Sequence, residues 1–273
     1  MVGPTLVTGA AGFAGGHLLD LLAARGDTTA IVAWHRPGGE APRDVPGVTW
    51  QAVDLLDKPT VVRAVGDIRP VAVYHLAGAT HVGRSWSSTE ATFAVNVRGT
   101  HHLIEALRDV ARDAKFLIPS SALVYAPADE PLCEDHPLRP ANPYGLSKLA
   151  QELVGAGNRD GPQVCIARPF NHIGPGQDPW FVTSGFARRI ADIEAGRWPP
   201  EIQVGNLDAE RDLTDVRDTV RAYTLILDKG MPGRPYNVCS GQAVSIRHVL
   251  ELLLARARVR IRVAIDPARY RPN

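Results

Sequence analysis

Ser121, Tyr144 and Lys148 have the residue types and spacing that carry chemistry most readily in this chain. Tyr144 and Lys148 stand in NPYGLSK at 142–148, which reads as the start of a helix, so the i, i+4 pair shares one face. An ammonium beside a phenol favours the phenolate and is expected to lower its pKa, which makes Tyr144 a general acid or base near neutral pH. Ser121 follows KFLIPS at the end of an expected strand, and its hydroxyl could hydrogen-bond the oxygen that Tyr144 protonates. Such a set suits proton transfer at a carbonyl or an alcohol. By itself, a tyrosine four residues before a lysine also describes an ordinary surface pair.

A second set suits phosphate. Gly9, Gly12 and Gly15 form GxxGxxG around Phe13 and Ala14, between an expected strand and an expected helix. Glycine lets the backbone turn tightly and approach a pyrophosphate, while the free N–H groups of the helix start face the anion. The same spacing also fits a packing turn of small residues. The next strand ends at Ala33-Trp34-His35-Arg36, where a site for NAD places Asp or Glu to bind the ribose 2′-hydroxyl. No acid stands there. The guanidinium fork of Arg36 suits a 2′-phosphate, so NADP(H) is expected in preference to NAD(H), with a solvated arginine as the plain alternative.

These residues need a scaffold that brings strand ends together. Runs at 5–9, 29–34, 48–53, 71–77, 115–120, 164–168 and 236–240 are short and mostly apolar. Helical patterns alternate with them, at 11–26, 88–112, 143–156, 216–229 and 244–257. Strands apolar almost throughout and separated by helices imply a parallel sheet covered on both faces. The expected fold class is therefore α/β, a doubly wound parallel sheet. After about residue 170 the chain becomes rich in Gly, Pro and Trp. The expected division is a dinucleotide-binding domain at 1–169, with 206–240 returning to it, and a smaller C-terminal substrate-binding lobe from 170–205 and 241–273.

Composition excludes several classes. The chain has 273 residues, 45% hydrophobic and 22% charged, with Lys+Arg 30 against Asp+Glu 29 and a net charge of +1. That balance gives no electrostatic reason for a nucleic-acid or membrane partner. No apolar run approaches the roughly 20 residues that span a bilayer. Cys133, Cys165 and Cys239 are odd in number and widely spaced, which fits a reducing, cytoplasmic setting. The opening MVGPTLVTGAAGF has no basic segment before its motif, so no signal peptide is expected. No metal is expected, because the adjacent His101 and His102 point to different faces of a helix.

GAAGFAG (9–15), DLLD (54–57), HLAG (75–78), NVRGT (96–100), SSALVY (120–125) and PYGLSK (143–148) occur in this order. Together they resemble the extended short-chain dehydrogenase/reductase family of the nucleotide-sugar type. The resemblance implies adenine contacts at Asp54 and Leu55, and a cofactor lining from Leu76, Ala77 and Gly78. It gives Lys148 a second role on the nicotinamide ribose, and puts His81 and Ser85 along the sugar pocket. It also implies a homodimer formed through the helices near 88–112 and 143–156. The segments 168–196 and 204–218 resemble enzymes of GDP-6-deoxyhexoses, chiefly GDP-4-dehydro-6-deoxy-D-mannose reductases, with GDP-mannose 4,6-dehydratases as relatives. Asn171, Val182 and Arg211 then fall where those enzymes hold the diphosphate or sugar, the guanine and the diphosphate. The plain alternatives are a loop brace for Asn171 and an ion pair of Arg211 with Asp212 or Asp215.

Sugar dehydratases carry Asp or Glu just after the catalytic Ser or Thr. Here Ser121 is followed by Ala122 and Leu123, which transfer no proton. The expected reaction is NADPH-dependent reduction of the C4 ketone of a GDP-linked 4-keto-6-deoxy sugar, giving GDP-6-deoxy-D-mannose (GDP-D-rhamnose) or its C4 epimer. An NAD-dependent nucleotide-sugar 4-epimerase is the alternative, ahead of a dehydratase and of a non-catalytic dinucleotide sensor.

Overall fold

A computed structural model describes residues 3–26, 30–39 and 43–269 of the chain. β1 (Pro4–Thr8) turns into α1 (Phe13–Arg25), which Gly26 closes in the left-handed conformation. β2 (Ala30–His35) and β3 (Val48–Ala52) lead to α2 (Lys58–Ile68). The carboxylate of Asp57 caps α2 by accepting from the Thr60 amide. β4 (Ala72–His75) is followed by the short α3 (Val82–Ser87) and α4 (Thr89–Phe93). A π-helical turn, Ala94–Gly99, joins α4 to α5 (Thr100–Val110). β5 (Lys115–Pro119), α6 (Pro143–Ala156) and β6 (Gln163–Pro169) follow. Asn142 caps α6 through the Gly145 amide at 2.8 Å. The remainder comprises β7 (Asn171–Ile173), α7 (Val182–Glu194), β8 (Glu201–Val204), β9 (Glu210–Asp215), α8 (Val216–Lys229), β10 (Pro235–Val238), β11 (Ala243–Ser245), α9 (Ile246–Leu254) and β12 (Arg262–Ile265).

The chain divides into two compact units, residues 1–170 with 217–238, and residues 171–216 with 239–273. The first holds a seven-stranded sheet in the order β10-β6-β5-β4-β1-β2-β3, parallel throughout. Strand alternation splits its apolar residues between two faces. One face carries Leu6, Val32, Trp34, Val73, Phe116, Ile118 and Ile166, packed with Val61 and Val65 of α2 and Leu103 and Leu107 of α5. Each large apolar side chain so buried contributes about 1.5–3 kcal/mol. Residues of the other parity, including Val7, Ala33, Tyr74 and Leu117, are buried as well. This is the covered, doubly wound sheet expected from the strand texture. The order reverses between β1 and β4, which is where such sheets bind ligands, outside the strands' carboxyl ends.

The second unit is built from a three-stranded sheet, β11-β9-β7, a parallel pair of β12 and β8, and helices α7 and α9. Ile190 and Ile193 of α7 pack with Ile202, Val204, Ile246 and Leu250. Residues 206–216 and 239–240, expected with the first unit, lie in the second, where β9 pairs with β7 and β11. The stretch read as loop-rich contains α7, whose Phe186, Ile190 and Ile193 recur at helical spacing between Gly/Pro-rich flanks.

Candidate active site

The glycine turn after β1 and the end of β4 flank the reversal of strand order. Gly9 has φ +66, and a Cβ there would stand 2.5 Å from the Ala77 nitrogen. A Cβ on Gly15 would collide with the Gly9 carbonyl oxygen. These glycines therefore let α1 start hard against the two strand ends. Gly12, the N-cap of α1, brings no side-chain acceptor, and the first helical turn has no acidic residue. Phe13 and Ala14, both partly buried, begin the helix beside it. The N–H groups of this turn and the helix dipole suit an anion such as a diphosphate.

Arg36, just past β2, is exposed, and its guanidinium pairs with no described carboxylate. Asp54 is exposed too, and its carboxylate accepts from the Leu56 amide at 2.9 Å, so it stabilises its own turn. Leu55 is buried in the core cluster with α2 and α5. Leu76, Ala77 and Gly78 are half-buried after β4. The Leu76 amide donates to the Thr8 carbonyl at 3.1 Å and the Ala77 amide to Thr8 Oγ1 at 3.3 Å.

Ser121 lies two residues past β5 and caps a single 3-10 turn, Ala122–Val124, by accepting from the Leu123 amide at 3.1 Å. It also stands beside the Tyr144 hydroxyl, near enough to favour its phenolate. Ser121 and Tyr144 are thus neighbours. The expected lowering of the tyrosine is not observed. Burial pushes the Tyr144 hydroxyl up to about 12, and the Ser121 hydroxyl only partly opposes this. The reason is the direction of Lys148. Its ammonium donates to Gln151 Oε1 at 2.5 Å, one turn further along α6, and not to the phenol. Burial draws Lys148 itself down to about 8, with the charge of Glu152 opposing. At pH 7 Tyr144 is therefore protonated and Lys148 predominantly charged. A protonated phenol beside a serine hydroxyl is a loaded proton donor.

Two arrangements beneath the triad were missed by the sequence reading. Asn96 is fully buried in the π-helical turn. Its Oδ1 accepts from the Ala79 amide at 2.8 Å, and its Nδ2 donates to the Ala79 carbonyl at 3.2 Å and to Ser147 Oγ at 2.9 Å. Ser147 Oγ in turn donates to the Tyr144 carbonyl at 2.7 Å. One amide so joins the chain after β4 to α6. Such π turns recur at functional sites because the extra residue re-aims a side chain. The other arrangement is a buried pair: Arg168 of β6 grips Glu152 of α6 through Nε at 3.0 Å and Nη2 at 2.7 Å. The signal for Gln151 was legible, since Tyr144, Lys148 and Gln151 recur at i, i+4 and i+7.

His81 is the N-cap of α3. Ser85 is buried, and its hydroxyl proton is committed to the Val82 carbonyl at 2.7 Å. Asn171, Val182 and Arg211 belong to the second unit and are exposed, on β7, at the start of α7 and on β9. Arg211 donates to the Glu210 carbonyl at 2.6 Å. Asp212, offered as its partner, instead accepts from Ser240 and Gly241.

The sequence profile of the family described as GDP-mannose 4,6 dehydratase matches residues 6–271. The chain is 40% identical to the GDP-6-deoxy-D-mannose reductase of Pseudomonas aeruginosa, over 97% of this chain and 84% of that protein. It resembles the solved structure of RMD from Pseudomonas aeruginosa complexed with NADPH, at 38% identity and a TM-score of 0.82, over 99% of this chain and 86% of that one. It also resembles the UDP-glucose 4-epimerase of Thermus thermophilus in complex with NAD, at 32% identity and a TM-score of 0.84, over 97% of this chain and 87% of that one.

Proposed function

The chain belongs to the GDP-mannose 4,6-dehydratase family, and from that premise we propose that it reduces the C4 ketone of a GDP-4-keto-6-deoxyhexose with NADPH. The product is GDP-6-deoxy-D-mannose or its C4 epimer. The observation that carries this reading is the protonated Tyr144 beside Ser121 in a segment with no carboxylate after the serine. A reductase needs a proton for the new alkoxide, and Tyr144 holds one at neutral pH. A dehydratase also needs an acid beside the serine, where Ala122 and Leu123 stand; Asp129 and Glu130 are exposed in the loop beyond.

Tyr144 gives its proton to the C4 oxygen, and the neighbouring Ser121 hydroxyl orients and polarises that oxygen. Lys148 brings positive charge to the site and binds the ribose of the cofactor. NADPH, when bound, supplies the hydride. The residues present fit it. Gly9, Gly12, Phe13, Ala14 and Gly15 would hold the diphosphate at an α1 start free of acids and of side-chain caps. Arg36 would hold the 2′-phosphate, and Asp54, Leu55, Leu76, Ala77 and Gly78 would line the adenine and ribose sides. His81, Ser85, Asn171, Val182 and Arg211 are the proposed contacts of the GDP-sugar, with the second unit as the substrate lobe.

A 4-epimerase is the second reading, favoured by the likeness to an NAD-bound epimerase. Net consumption of NADPH separates the two, because an epimerase regenerates its cofactor. Tyr144→Phe tests the mechanism directly. Turnover is expected to fall by about 10²–10⁴ while NADPH binding, followed by fluorescence, is retained. Unchanged turnover would contradict the mechanism.

No helix among the described residues is long and apolar enough to cross a membrane. The enzyme is proposed to work in the cytoplasm as a homodimer. Leu146, Leu149, Ala150 and Leu153 form an i, i+3, i+4, i+7 stripe on α6, with Leu146 49% and Leu153 64% exposed. The opposite face of α6 already buries Ser147, Lys148 and Gln151. Light scattering that returned a monomer mass at micromolar concentration would count against the dimer.

A further inference from the structure

The bond from Lys148 to Gln151 is one end of a buried chain of polar groups whose donors and acceptors can be assigned by counting protons. Thr100 Oγ1 has a single proton and gives it to the Asn96 carbonyl at 2.7 Å. Its remaining contacts must therefore be donors to it. Gln151 Nε2 donates to it at 2.8 Å, which leaves Gln151 Oε1 facing the ammonium. His75 Nε2 also lies 2.8 Å from Thr100 Oγ1, so that nitrogen carries the imidazole proton. His75 Nδ1 is then an acceptor, and Thr8 Oγ1, 2.8 Å away, donates to it. Thr8 Oγ1 finally accepts from the Ala77 amide at 3.3 Å. Every polar atom in the chain is matched and no assignment conflicts with another.

Four of its side chains are essentially out of solvent: Thr8 1%, His75 1%, Thr100 0% and Gln151 0% exposed. Gln151 cannot turn its carboxamide over without setting two donors against each other at Lys148 and leaving Thr100 facing an acceptor with no proton to offer it. The charged and titratable groups around the ammonium do not replace it. Glu152 on α6 is held by both arms of Arg168 from β6, which also donates to Tyr125 at 3.0 Å. His75 on β4 is neutral, because burial and then the charge of Lys148 hold it down to about 3. Tyr144 is protonated.

We propose that Gln151 is a positioning residue for Lys148: its carboxamide, locked by Thr100 and His75, fixes the ammonium relative to the Ala77 end of β4. This rests on the reading of Lys148 as part of a reductase site, and it goes beyond that reading by naming the residue that sets where the charge sits. A purely structural glutamine would stabilise α6 without governing the lysine.

The test uses the full-length chain with ¹³C-labelled lysine. The Lys148 Cε signal, assigned by its loss in Lys148→Met, is titrated in the free enzyme for wild type, Gln151→Glu and Gln151→Leu. Gln151→Glu keeps an acceptor at the ammonium and adds a charge, so the midpoint is expected to rise by about 1–3 pH units. In the same variants, the alkaline limb of kcat/KM should move upward for Gln151→Glu. Gln151→Leu should lose about ten- to a hundredfold in kcat/KM at pH 7. A Lys148 midpoint unmoved in folded Gln151→Glu would overturn the proposal, even if the enzyme reduces its substrate. A failure of NADPH to bind the wild type would sink the reductase reading, and leaves the titration of the free enzyme to decide on Gln151 by itself.

Discussion

In the proposed reaction, a single proton on each of two hydroxyls governs the chemistry at the residue scale. Tyr144 is kept protonated by burial, and Ser121 accepts from the Leu123 amide; in the proposed reaction both hydroxyls serve one substrate oxygen. The sequence made the triad legible, because a strand-end serine and a YxxxK helix occur in order. It did not reveal the direction of the lysine. Spacing puts Lys148 on the face of Tyr144, but Gln151 competes for the ammonium from the same face one turn on. Asp54 shows a similar limit, as its carboxylate serves its own turn. Cofactor choice is proposed to rest on Arg36. Arg36→Ala is expected to weaken NADPH binding about ten- to a hundredfold, the worth of a charge-assisted hydrogen bond, with NADH binding unchanged. Fluorescence titration with both nucleotides checks this, and equal losses for the two would remove the phosphate assignment.

Elements place these residues by packing two strand ends and two helix starts together. The glycine turn was readable from residue types, since only glycine fits at Gly9 and Gly15. The π-helical turn was not, because the run at 88–112 looks like one continuous helix and the inserted residue leaves no periodic signature over one turn. Its effect is nonetheless local and testable. Asn96→Ala would strand the Ala79 amide and free Ser147 from its donor. The expected cost is about 1–3 kcal/mol, read as a lower urea midpoint with an unchanged slope. An unaffected midpoint would mean that Asn96 does not hold the loop after β4 to α6. In the second unit, α7 was hidden because Gly, Pro and Trp at both ends outweighed its apolar spacing.

The whole molecule pays for its buried polar chain in pH sensitivity. His75 is held neutral with a folded pKa near 3, below the 6.5 of an unperturbed histidine. The unfolded chain therefore takes up this proton first as the pH falls. The associated stability is complete above about 6.5 and is lost as the pH drops toward 3, at up to about 1.4 kcal/mol per unit. Urea unfolding at pH 7 and pH 5 should show this loss, and His75→Asn should flatten it; an equal slope in both proteins would place the pH dependence elsewhere. The parallel sheet was legible from its uniformly apolar strands, whereas the boundary between the units was not. β9 carries charged residues at most positions, ERDLTD, and only its pairing with β7 and β11 assigns it.

The most direct test follows reduced nicotinamide by absorbance after mixing the enzyme with freshly made GDP-4-keto-6-deoxy-D-mannose. One NADPH should be consumed for each sugar reduced, and NADH should serve poorly. Full conversion of a nucleotide sugar without net loss of NADPH, or no reaction with either nucleotide, would contradict the account.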